Sequence, residues 1–127
     1  MQIIFGDTVN LVRDRFTVLE LDTFRTDNAD LTVTAWCVVE TVPLQEIGIL
    51  ENLVKIHSDL ISQYQQQNWS FCTEALQHLK GRWNGDLDSF YCDLERRINV
   101  LACDPPGADW TWIRAQPGGQ REQQAEQ

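Results

Sequence analysis

Histidine occurs only twice and methionine once in 127 residues, and ten basic residues face nineteen acidic ones. Two imidazoles, His57 and His78, cannot supply the repeated Glu-x-x-His sets of a di-metal carboxylate bundle. The shortage of Lys and Arg leaves a formal charge of −9, which repels phosphate backbones and anionic lipid at long range. Direct nucleic-acid binding and membrane binding are therefore not expected. An acidic surface suits a basic protein partner, nucleic-acid mimicry, or solubility alone. No apolar run approaches the roughly 18 residues of a membrane span, and Met1 leads into Gln2-Ile3-Ile4-Phe5 without a basic leader, so a cytoplasmic location is expected. Cys37, Cys72, Cys92 and Cys103 form no Cys-x-x-Cys pair, which removes a zinc ribbon and leaves reduced, buried thiols as the default. Gly-x-Ser-x-Gly, a Gly-rich phosphate loop and paired-His signatures are all missing.

What the chain does have is 43% hydrophobic residues, with five Trp, five Phe and two Tyr, enough for one core in a domain of ordinary size. Residues Phe16 to Arg25 and Leu31 to Val42 are rich in β-branched and aromatic side chains, and Thr26-Asp27-Asn28-Ala29-Asp30 between them has turn chemistry. This predicts a β-hairpin. Its second strand carries Leu31, Val33, Ala35, Cys37 and Val39 on one face and Trp36, Val38 and Val42 on the other, the pattern of a central strand covered on both sides. Met1 to Phe5 supplies a shorter third strand before a Gly6-Asp7 turn, while Thr8 to Asp14 has no clear period.

Pro43 fits the first turn of a long helix reaching about Gln66, with Leu44, Ile47, Leu50, Val54, Ile61 and Tyr64 as its stripe. After the polar break from Gln65 to Asn68, Trp69, Cys72, Leu76 and Leu79 mark a second helix that stops near Gly81. Cys72 is the small residue that lets two helices approach. Asn84-Gly85 signals a turn, and Asp86 or Asp88 can cap a third helix whose stripe is Leu87, Tyr91, Leu94, Ile98 and Leu101. Pro105-Pro106 ends it.

From Tyr64 to Trp110, the run of Tyr64, Trp69, Cys72, Leu76 and Leu79, then Phe90-Tyr91, Leu94-Glu95-Arg96, Pro105-Pro106 and Asp109-Trp110, resembles the helical tail downstream of many class III adenylate and guanylate cyclase domains. That tail is similar to a degenerate tetratricopeptide hairpin closed by a Pro-Pro-x-x-Asp-Trp clasp. The likeness covers a little over a third of the chain. Thr111-Trp112 stands where the family commonly continues with Asp-Gly, and the catalytic domain has no room here, so the resemblance implies a helical scaffold and no cyclase activity. The chain also looks like small uncharacterised proteins of marine cyanobacterial tailed phages, which would place it in the host cytoplasm. The expected fold is α+β: an antiparallel β-meander of about three strands (1–42) and three α-helices forming a tetratricopeptide-like hairpin (43–117), in a single domain with a disordered tail at 118–127.

Glu20, Asp22 and Glu40 could share a strand face, and with His57 they outline a hard-cation or acid/base site; a solvated strand face is the ordinary alternative. His78 lies one turn after Glu74. Cys37 or Cys92 could be a nucleophile only beside a base in an electropositive pocket. No cofactor, metal site or catalytic residue is assigned. The aromatic residues are more telling. Trp83, Trp110 and Trp112 lie in turns or past helix ends, where Trp either anchors a partner or closes a small core, and with Tyr64 and Trp69 they are the expected partner-binding set. A terminal Trp110 can fold back over the hairpin end. The expected function is a non-catalytic protein-interaction module, a viral or regulatory accessory protein. A self-associating structural component, such as a homodimer pairing through the hairpin edge, and a metal-dependent enzyme are the alternatives.

Overall fold

A computed structural model describes residues 2–26 and 31–114. Three antiparallel strands, β1 (Gln2–Phe5), β2 (Thr17–Arg25) and β3 (Thr32–Val39), precede three helices, α1 (Leu50–Gln65), α2 (Trp69–Leu79) and α3 (Asp88–Cys103). The fold is α+β, as expected. Asp27 to Asp30 and the expected tail 118–127 lie outside the described residues.

The strand order is β1-β3-β2, so the sheet is not a simple sequential meander, and the strand with two apolar faces is the central one. Register follows from that alternation: Leu19 and Ile3 both pair with Cys37, and Glu20 and Ile4 both pair with Trp36. Leu19, Cys37 and Val39 enter the core that the helices cover. On the other face Val38 is buried and Trp36 half-buried, so both faces of the strand are covered. Gly6–Leu11, which takes in the expected Gly6-Asp7 turn and part of the Thr8 to Asp14 stretch that has no clear period, is a 3-10 helix lying against β3 with Val9 buried, and Arg13 places its guanidinium 5.4 Å above the Trp36 ring. β2 bulges between Glu20 and Thr23, which breaks the expected alternation of Glu20 and Asp22.

The first helix begins differently from its sequence pattern. Leu44–Ile49 winds as a 3-10 helix, and α1 proper starts at Leu50. Three residues per turn shift the phase. Leu44 and Ile47, expected on the buried stripe, are exposed, and Glu46 is buried between them. From Leu50 the α-helical period takes over and buries Leu53, His57, Leu60, Ile61 and Tyr64.

α2 starts where Asn68 accepts a hydrogen bond from the Phe71 amide, and its stripe Cys72, Leu76 and Leu79 is buried as read. Cys72 is fully buried against α1, its thiol 3.8 Å from the Leu60 carbonyl. The link to α3 passes through Gly81, Trp83, Asn84 and Gly85, all at positive φ. Asp88 does not cap α3. Its Oδ1 accepts from the Gly81 amide at 2.8 Å and closes this loop instead. α3 ends at Cys103, just before the proline pair.

Candidate functional site

Two regions gather polar chemistry, and they differ in access. The first is a buried chain through the core. His57 Nε2 lies 2.6 Å from the Glu20 backbone carbonyl, an acceptor only, so this nitrogen carries the proton. Nδ1, 2.9 Å from the Tyr91 hydroxyl, then accepts from it. Tyr91 Oη in turn accepts from Trp83 Nε1 at 3.0 Å. One directional chain thus ties the loop before α3, α3, α1 and β2, with each buried donor matched. Burial pushes the His57 pKa from 6.5 down to about 4, against the raising effect of its bond to the Glu20 carbonyl, so the ring is neutral at physiological pH. Burial likewise lifts the Tyr91 hydroxyl above the ordinary phenol range, and the Trp83 hydrogen bond only partly opposes it.

This chain corrects one expected partner residue. Trp83 is fully buried, at 0% exposure, and cannot anchor a partner. Its left-handed backbone turns the indole inward, and its amide donates to Glu46 Oε1 at 3.1 Å. A Trp in a turn can point either way, and only the burial of Tyr91 beside it decides.

The expected carboxylate set does not converge. Asp22 is drawn to Arg97, both His57 nitrogens are engaged in the core, and Glu40 is exposed. Among the described residues no group of three His, Cys, Asp or Glu side chains could hold a metal ion. Burial raises the Cys37 and Cys72 thiols to about 11, which opposes nucleophilic use. Cys92 and Cys103 are exposed, contrary to the expected burial of all four thiols.

The second region is an open groove of about 580 Å³ on the far side of α3. Its floor is α3 from Asp93 to Leu101 with Tyr64 from the end of α1; its wall is the strap Trp110 to Arg114. The strap is held at both ends. Gln67 Nε2 donates to the Gly107 carbonyl at 3.1 Å, and the Arg114 amide and carbonyl bond Thr23 and Arg25 on the outer edge of β2 at 2.8 and 2.7 Å. Trp110 folds back over the hairpin end as expected, with its ring centroid 5.5 Å from Tyr64 and 5.7 Å from Trp69, both edge-on. Tyr64 and Trp69 also meet edge-on, at 6.1 Å.

Of the expected partner residues, then, the groove collects Tyr64, Trp110 and Trp112, with Trp69 stacked behind as support. Trp110 and Trp112 are half-buried, and Val100 on the floor is 71% exposed. The polar end was not anticipated. Arg97 donates to both Asp22 oxygens at 2.9 and 3.0 Å and to Asp93 at 2.6 and 2.9 Å. Burial alone would lower its pKa, but the hydrogen bonds and charges of Asp22 and Asp93, joined by a bond to Tyr64, hold it above the ordinary guanidinium value. For Asp93, burial acts to raise the pKa, and the Arg97, Arg96 and Arg114 guanidiniums outweigh it. The spacing of Asp93 to Arg96 and Arg97, three and four residues along one helix, was a readable sequence signal. Asp22, 75 residues from Arg97, was not.

No helix of the described residues is long and apolar enough to cross a membrane. Comparison of the chain with protein-family models, with curated proteins and with solved structures gives no match.

Proposed function

We propose that the chain is a non-catalytic protein-interaction module of a cytoplasmic accessory protein, and that it holds an extended segment of its partner in the groove between α3 and the strap. The observation that carries this reading is the groove itself: two half-buried tryptophans in its wall and the exposed Val100 on its floor present apolar surface in one concavity of about 580 Å³. Trp, Tyr and Arg are the residues over-represented where binding energy concentrates, and all three types line it. Four cysteines kept as thiols fit a reducing compartment. Display of short randomised peptides tests the reading. Wild-type protein should enrich a defined set that Trp112→Ala fails to retain while it still melts cooperatively, at a temperature lowered by loss of a half-buried side chain that packs on the core. A set retained equally by Trp112→Ala would place binding elsewhere.

A second reading is self-assembly through β1. This strand is at the sheet edge, carries no charge or proline, and leaves Ile3 44% and Phe5 52% exposed, the features that invite strand pairing. Two copies pairing β1 to β1 about a two-fold axis would give a six-stranded sheet. Sedimentation of wild type against Phe5→Lys decides it, since a concentration-independent monomer excludes this mode.

A further inference from the structure

We infer that the groove takes an acidic peptide segment, one that sets a carboxylate against Arg96 and Arg114 and an adjacent aliphatic or aromatic side chain against Trp110 and Trp112. This rests on the groove being the partner site, and it opposes the basic partner that the whole-chain charge of −9 favoured. The local balance has the other sign. Among the described residues three guanidiniums, Arg96, Arg97 and Arg114, meet two carboxylates, Asp22 and Asp93, which leaves one surplus positive charge beside the apolar wall.

The donors are unequally committed. Arg97 spends its fork on Asp22 and Asp93 and serves as a fixed post. Among the described residues Arg96 makes one side-chain bond, at 2.8 Å to Asp93 Oδ1, and its side chain is 74% exposed. Arg114 reaches Asp93 only at 3.7 Å, beyond hydrogen-bond distance. Their remaining N–H groups suit fork-to-fork capture of a carboxylate. Asp93, by contrast, already accepts on both oxygens and has little to offer a lysine. Salt screening over about 8 Å keeps the acidic remainder of the surface from overriding this local preference. The same attraction could be offered to a nucleic acid strand, but the phosphate repeat would carry charge across the rest of an acidic surface, where a single carboxylate does not.

The test uses the full chain and a display library of short randomised peptides with blocked ends. Enriched peptides should pair Asp or Glu with an aliphatic or aromatic neighbour. Synthetic members with the acid changed to Gln should bind about two- to five-fold more weakly at low salt, and those with Lys weaker still. Arg96→Glu, at an exposed site that leaves the fold intact, should abolish the acid preference and admit the Lys peptides. Trp112-dependent enrichment without acid, or with base, would overturn this inference and leave the groove reading standing. Enrichment indifferent to Trp112→Ala would overturn both. Tighter binding of a single-stranded oligodeoxythymidine than of any acidic peptide, lost in Arg96→Glu, would also overturn the assignment.

Discussion

Acid should unfold this protein in a window set by His57 as much as by its carboxylates. The native ring is held neutral, with its pKa lowered from 6.5 to about 4 by burial. In the unfolded chain it takes a proton near 6.5, so below that pH the unfolded state binds more protons than the native one. The contribution is fully present above the unfolded value and is lost as pH falls through the native value. The gap corresponds to about 3 kcal/mol in all, with about 2 kcal/mol gone by about pH 5. Two carboxylates bracket the effect. Glu20, whose pKa burial raises, relieves a penalty as pH falls and works against the loss, whereas Asp93, held low, withdraws support only in stronger acid. Urea unfolding of wild type and His57→Gln at a series of pH values from neutral to about pH 4 isolates the imidazole, because the two chains share every carboxylate. The difference between the two stability curves should fall steadily across that window. Parallel curves would refute the assignment of a buried neutral imidazole.

Three further outcomes follow from the same contacts. Tyr91→Phe removes the hydroxyl that joins Trp83 to His57 and orphans two buried groups, so denaturant unfolding should show a loss of about 2–4 kcal/mol. Arg97→Ala leaves Asp22, only 14% exposed, without its partner and should cost about 3 kcal/mol, while Lys55→Ala, which breaks an exposed pair, should cost under about 0.5 kcal/mol by the same measurement. Cys72→Leu forces extra volume into the buried contact of α2 with α1 and should destabilise by about 1–3 kcal/mol in thermal or urea melts, with Cys72→Ala the milder change.

Much of the helical half was legible because period alone determines which residues of an isolated α-helix share a face. The α2 stripe and the stop of α3 before Pro105 followed directly, as did Cys72 at the helix approach. Period failed at Leu44–Ile49, where nothing in the residue types announced that the turn would tighten to three residues and bury Glu46 in place of Leu44. The candidate site was half legible. Tryptophans at helix ends are conspicuous, and Tyr64, Trp110 and Trp112 do line one groove, but residue type does not distinguish them from the buried Trp83.

By itself, then, the sequence determined the three strands and the three α-helices but neither 3-10 segment, that β3 would be central, and that α3 would stop before a proline pair. These are consequences of local sterics and of which positions are apolar. Tertiary structure alone decided that Asp22 would leave its strand pattern at a bulge to meet Arg97, that Trp83 would close a buried chain with Tyr91 and His57, and that a groove of positive local balance would form on an acidic protein. Each of those depends on groups far apart in the chain, whose burial and partners are fixed only when the elements pack.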